Sequence, residues 1–294
     1  MEDSYMTAVK ANLLQTMKFL VDFLDRHGLA YSAAYGTVLG AVRHKGFIPW
    51  DDDIDICMFR DHYERLLSLR PEMQKEGYDI VSYYDKGYYL PFAKVVDLRT
   101  TIWEYKQLPF ILGNYIDVFP FDCFDKPKAE LEDLCRHSRR LFYKYQATIT
   151  DDRNLLDLIE YIRTKHFGSA ARSLASFLYH GNPEKALKRY TDYIDANKGQ
   201  TGDHCIYMTG KLVVLFRTEW LTDTVKVPFE DMEIAVPREY DAYLTSFYGD
   251  WRTPPSAKKQ VATHGDVRYY INLKERLALD EVRCRLARGE KAVF

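Results

Sequence analysis

Apolar residues near the N-terminus recur at helical spacing: Leu13, Leu14, Met17, Leu20, Val21 and Leu24 fall on one face, and Gly28 closes the run. This period predicts an amphipathic helix. No basic segment followed by an unbroken apolar stretch precedes it, so we read it as neither a secretory leader nor a membrane anchor. "LAYSAAYG" then reads as a short buried strand ending at Gly36, and "TVLGAVRHKG" as a short helix with Thr37 as its N-cap. After "FIPW" the period changes to two. Ile54, Ile56 and Met58 alternate with Asp53, Asp55 and Cys57, which predicts a strand with one apolar face and one face carrying carboxylates.

"RDHYERLLSL" follows as a helix, and "YDIVSYY", "YLPFAKVVDL", "TTIWEY" and "NYIDVFPFDCF" as strands. From Lys126 to about Asn197 the pattern is helical, in "KAELEDLCRHSRRLFYKYQATI", "NLLDLIEYIRTKHF" and "PEKALKRYTDYIDAN", with Pro127 and Pro183 at helix starts. Beyond Gly202, "VPFEDMEIAVP" reads as a hairpin and "REYDAYLTSFYGD" as a helix ending at Gly249. No internal repeat or low-complexity linker divides the chain. The expected architecture is one α/β (α+β) unit: a mixed-sheet core over 1–125, a helical insertion over 126–200, and a C-terminal part over 201–294 packing on the core.

Composition removes some classes of function. The net charge is −2, from 41 basic and 43 acidic residues spread along the chain, which argues against an electrostatic grip on nucleic acid. The five cysteines form no CxxC pair, which favours a reducing compartment and no cysteine-rich zinc site, so a cytoplasmic protein is expected. The 23 tyrosines and 4 tryptophans are enough to fill a core and also to stack on sugars or enclose a quaternary ammonium.

The segment "DDDID" places four aspartates within five residues beside predicted buried strand. Like charges so close raise one another's pKa unless a cation lies between them. Asp53 and Asp55 share one side of the strand and suit a hard ion such as Mg²⁺ or Mn²⁺. Asp51 has the same parity and is a further ligand, direct or through water, whereas Asp52 points the other way. The apolar-Asp-apolar step "YIDVF" marks Asp117 as a single inward carboxylate on another strand, the third ligand and the group nearest an attacking hydroxyl. Gly36 and Thr37 offer a glycine turn whose amides can hold phosphate oxygens. Arg43 either pairs with a phosphate or offsets the acidic field. Lys94, alternating with apolar neighbours, needs a carboxylate or phosphate partner if it is buried. His44 and His264 are candidate general bases.

The order of glycine turn, Asp-x-Asp and lone strand aspartate resembles the nucleotidyltransferase pattern hG[GS], [DE]h[DE]h and h[DE]h, where h is apolar. "GTVLGAVRHKGFIPWDDDIDI" further resembles the signature block of the LicD family, which includes bacterial phosphocholine transferases and resembles fukutin and fukutin-related protein. "PFAKVVDLRTTIWE", "YIDVFPFD", "VPFEDMEIAVPREYDAYLTSFYGDWRTPP" and "THGD" resemble that family's later blocks in the same order. The resemblance implies a nucleotidyltransferase-like fold and a CDP-linked donor, CDP-choline or CDP-ribitol. It also implies transfer of the alcohol phosphate to a hydroxyl of a cell-surface glycan, teichoic acid or glycolipid precursor, with CMP leaving. Peripheral membrane association stays open on this reading. The pattern alone also allows a nucleotidyltransferase that loads NMP onto a protein or small molecule, or a non-catalytic partner of a glycosyl-phosphate transferase.

Overall fold

The computed structural model describes residues 2–150, 158–159, 162–163, 167–178, 181–199, 201–210, 214–256, 259–260, 269–290 and 292–293. The first helix, α1 (Glu2–Arg26), buries Val9, Leu13, Met17, Leu20, Phe23 and Leu24 completely, and Gly28 follows it with φ 63°. Next come β1 (Ser32–Ala33), α2 (Tyr35–Leu39), a π-helical turn at Gly40–His44, β2 (Asp55–Phe59), α3 (Arg60–Ser68) and α4 (Arg70–Lys75). The strands β3 (Tyr78–Val81), β4 (Ala93–Asp97), β5 (Thr101–Trp103) and β6 (Tyr115–Phe124) lie in the four segments whose alternation predicts them.

The helical insertion contains α5 (Lys128–Ile149), α6 (Phe167–Leu178) and α7 (Pro183–Asn197), with α5 packed on the other two. Asn182 caps α7 by accepting from the Lys185 N–H. Most of "NLLDLIEYIRTKHF" lies outside the described residues. The C-terminal part holds β7 (His204–Ile206), β8 (Phe216–Arg217), α8 (Glu219–Thr222), the hairpin β9 (Thr224–Phe229) and β10 (Met232–Pro237), and α9 (Tyr240–Tyr248). It ends in β11 (Tyr270–Asn272), α10 (Leu279–Ala287) and β12 (Ala292–Val293). No helix among the described residues is long and apolar enough to cross a membrane.

A seven-stranded mixed sheet organises the molecule, in the order β1-β2-β6-β4-β3, with β7 on the far half of β6 and β8 on β7. The central strand β6 runs parallel to β2 and antiparallel to β4. Its ten residues are nearly all buried, as a strand covered on both faces must be. The fold is therefore of the expected α/β type. The segment β5 leaves this sheet to pair with β11, which in turn pairs with β12.

Three local expectations are corrected. Gly36 does not end a strand: helix α2 begins at Tyr35, so Gly36 and Thr37 are helical. Thr37 is not an N-cap, because Ala34 holds that position and the Thr37 hydroxyl instead accepts from the Asp55 N–H at 2.8 Å. Ladder pairing of β2 starts only at Asp55, so Asp51–Asp53 form an approach to the strand. The cysteine reading also needs revision. Cys123 and Cys205 face each other across β6 and β7 and are joined as a disulfide, while Cys57, Cys135 and Cys284 are free thiols. Neighbouring strands bring together two cysteines 82 positions apart, which spacing along the chain does not reveal. The odd number of cysteines and the lack of a CxxC pair, on which the expectation of a reducing compartment rested, do not exclude this bond.

Candidate functional site

The site grows from the register of three adjacent strands. Asp55 on β2 stands opposite Asp117 on β6, and Asp117 stands opposite Lys94 on β4, so the three form a row across the sheet. The approach to β2 sets which aspartates join them. Asp51, Asp53 and Asp55 are half-buried, while Asp52, Ile54 and Ile56 between them have 0% exposure. Alternate residues therefore face the site and the core, the arrangement a period of two requires.

Several bonds hold this approach in place. The Asp117 N–H donates to Ile54 O at 2.9 Å, the Asp51 N–H donates to Ile48 O at 3.0 Å, and the Lys10 ammonium donates to the carbonyls of Ile48 and Pro49. Gly36 explains its own identity here: a Cβ at that position would lie 2.8 Å from Asp51 Oδ2. The glycine leaves room for the Asp51 carboxylate.

Lys94 is 2% exposed, with its Nζ 2.7 Å from Asp117 Oδ1 and 3.2 Å from the centroid of the Tyr115 ring. Burial pushes the Asp117 carboxyl up to about 6, against the opposing pull of Lys94 and with Asp53 and Glu104 adding to the rise. Burial also raises Asp55 well above the usual carboxylate range, and the charges of Asp53, Asp117 and Asp51 raise it further. The four carboxylates thus sense one another, with Lys94 as the nearby cation.

Arg43 and His44 lie on the π-helical turn beside this cluster. Arg43 donates from Nη1 to Trp251 O at 2.7 Å and from Nε to His44 Nε2 at 2.9 Å. It is therefore held by a carbonyl and an imidazole rather than paired with an aspartate. His44, which accepts that bond on Nε2, has its pKa lowered by burial and then by the charges of Arg43 and Lys10. His264 lies outside the described residues.

Sequence reasoning missed three contributors. Tyr248, at the end of α9, has its phenol pushed up by burial and then by the charges of Asp55, Asp51 and Asp53, with Arg43 opposing, so it stands within electrostatic reach of the cluster. Glu104 is a buried carboxylate that accepts hydrogen bonds from the hydroxyls of Tyr89 and Tyr115. Tyr115 also supplies the ring under Lys94, so Glu104 holds the support on which that ammonium rests. The quoted "SFYGDW" and "TTIWEY" blocks contained Tyr248 and Glu104, but neither side chain declares its direction in a linear pattern.

Hard oxygen donors crowded enough to raise one another's pKa suit a divalent cation. Among the described residues, no three His, Cys, Asp or Glu side chains are drawn together closely enough to form a finished metal site. The oxygen donors of the cluster are of the kind that a hard ion such as Mg²⁺ or Mn²⁺ takes, and Asp117 Oδ1 is held by Lys94.

Comparison with known proteins places this geometry. The LicD/FKTN/FKRP nucleotidyltransferase domain matches residues 28–155, a span that contains Asp51, Asp53, Asp55, Lys94 and Asp117. The chain is 26% identical over 266 residues to the lipopolysaccharide cholinephosphotransferase LicD of Haemophilus influenzae, a match that covers 88% of this chain and 95% of that protein. An uncharacterised protein of Rickettsia prowazekii is 36% identical over 111 residues, 37% of this chain and 40% of that one. The human ribitol 5-phosphate transferase FKRP is 27% identical over 117 residues, 37% of this chain and 20% of its own length. Residues 28–155 therefore carry a LicD/FKTN/FKRP nucleotidyltransferase domain, and the similarity to the Haemophilus influenzae cholinephosphotransferase extends over most of the chain.

Proposed function

We propose that this protein transfers phosphocholine from a CDP-linked donor to a hydroxyl of a cell-surface glycan precursor, releasing CMP. The observation that carries the proposal is the row Asp55–Asp117–Lys94, with Asp51 and Asp53 beside it, in a chain that matches a cholinephosphotransferase over most of its length. A cluster of buried carboxylates around one lysine is costly to maintain and suits chemistry on phosphate.

A Mg²⁺ or Mn²⁺ ion held by Asp53, Asp55 and Asp117, with Asp51 alongside, would supply charge neutralisation to the donor's phosphates. The chain's own residues provide the rest. Arg43, fixed through Trp251 and His44, presents a guanidinium at the rim for a phosphate oxygen. Lys94 keeps Asp117 oriented, and Asp117 accepts the proton of the attacking hydroxyl. A carboxyl raised to about 6 is better matched to that task at neutral pH than an ordinary aspartate. Attack in line with the departing CMP then needs mostly positioning, as other phosphoryl transfers do.

The test supplies CDP-choline and ATP separately, with Mg²⁺ and a glycan acceptor. CMP release from CDP-choline, abolished by EDTA, supports the proposal. Pyrophosphate release from ATP with CDP-choline untouched would replace it with nucleotidyl transfer.

A further inference from the structure

A cavity of about 560 Å³ opens beside the aspartate site, walled by the rings of Tyr89, Phe92, Tyr105, Phe142, Tyr143 and Tyr207. Phe92 ties it to the catalytic row. Its ring lies 5.6 Å from the Lys94 ammonium and 4.4 Å from the ring of Phe119, two residues beyond Asp117 on the same side of β6. The cavity thus begins one side chain away from the carboxylates that would handle the donor's phosphate.

The side-chain amide of Gln146, the Thr209 hydroxyl and the Gly210 carbonyl in its lining are already engaged. Gln146 donates to Tyr89 O at 2.9 Å, the Thr209 hydroxyl bonds both Ser138 and Tyr190, and Gly210 O accepts from Arg139. A polyol or sugar placed there would bury hydroxyl groups with few partners. Aliphatic side chains would be the expected lining for a lipid tail, whereas this lining is dominated by ring faces. Ring faces attract a cation that carries no N–H to satisfy. The buried hydroxyl of Tyr207 finds no hydrogen-bond partner among the described residues, leaving its oxygen dipole unspent within the wall. The positive charge of Lys94, behind Phe92, is balanced by Asp117, and the Arg139 guanidinium is turned to the Gly210 carbonyl.

We propose that this aromatic cavity receives the quaternary ammonium end of the transferred alcohol and makes the protein selective for a choline-type donor over a polyol donor. The proposal rests on the phosphocholine reading above. Choline's two-carbon linker suits a cavity that starts next to the phosphate site.

The experiment compares binding of CDP-choline, CDP-ribitol, CMP and the neutral isostere CDP-3,3-dimethylbutanol, by calorimetry with Mg²⁺ present. CDP-choline is expected to bind about tenfold more tightly than the isostere, the scale of a desolvated cation–π contact. Phe92→Leu and Tyr105→Leu should each remove most of that margin and leave CMP affinity unchanged, and Phe92→Tyr should keep it. Thermal melting of each variant confirms that it is folded. Equal affinity for CDP-choline and the isostere would overturn the proposal, as would variants that keep the margin, or that weaken CDP-ribitol or a glycolipid acceptor instead. If CDP-choline binds no better than CMP and releases none, the donor reading itself has failed. If CDP-choline is turned over normally by the cavity variants, only the cavity assignment has failed.

Discussion

The ammonium of Lys94 lies 2.7 Å from the carboxylate of Asp117, and both are almost sealed from solvent in the middle of the sheet. Breaking a buried pair from one side leaves an uncompensated charge, which costs about 3–5 kcal/mol. Lys94→Met is therefore expected to lower the unfolding free energy by that order in a urea titration. Adding Asp117→Asn should restore much of it, because the stranded charge is gone. The double variant should remain inactive, which separates the pair's effect on stability from its part in transfer.

Gly36→Ala tests the placement of Asp51. Gly36 is helical and its φ is not positive, so alanine meets no backbone strain there and gains helix propensity of up to about 1 kcal/mol. The added Cβ collides only with the far end of the Asp51 side chain, which can swing aside. Melting temperature should hold or rise while Mg²⁺-dependent CMP release falls. Gly40→Ala is the contrast: its Cβ would meet the Gly46 carbonyl at 2.5 Å, and a backbone obstacle should lower the melting temperature.

His44 predicts a pH dependence of stability. Burial and two nearby cations lower its pKa below 6.5, so the native state resists a proton that the unfolded chain accepts. Protonation would also end its acceptance of the Arg43 Nε–H. Below 6.5 the unfolded state binds more protons, and stability should fall as pH drops from 6.5 until the lower native value is passed. The urea midpoint of His44→Gln, followed across the same window, should lack this component of the slope.

The period-two run from Asp53 to Met58 gave the strand, its faces and the parity of the aspartates, because alternation is a local property of the backbone. Asp117 was legible for the same reason, as one charge between apolar neighbours. Its partner was not, since the Lys94–Asp117 pairing depends on the antiparallel register of β4 and β6. Gly36 stands out in the sequence, but its neighbour does not. A glycine signals that space is needed, but only the fold shows that the Asp51 carboxylate lies against it. The bond between Cys123 and Cys205 likewise depends on which strands become neighbours.

Asp55→Asn and Asp117→Asn make the same chemical change at facing positions and should have opposite effects on stability. Asp55 is surrounded chiefly by like charge, from Asp53, Asp117 and Asp51, with Lys94 a smaller opposing influence. Neutralising it relieves repulsion, so Asp55→Asn without added divalent ion should unfold at a higher urea concentration than the parent. Asp117 is the carboxylate that Lys94 holds, and Asp117→Asn leaves a buried ammonium with a weaker partner and should destabilise. Both variants should lose at least about two orders of magnitude in CMP release. They should also divide in binding: Asp117→Asn retains measurable affinity for CDP-choline, because its main part is to take the acceptor's proton, whereas Asp55→Asn weakens the donor complex itself. Normal turnover in Asp117→Asn would move the base elsewhere, and loss of donor binding in that variant would make Asp117 an anchor for the donor.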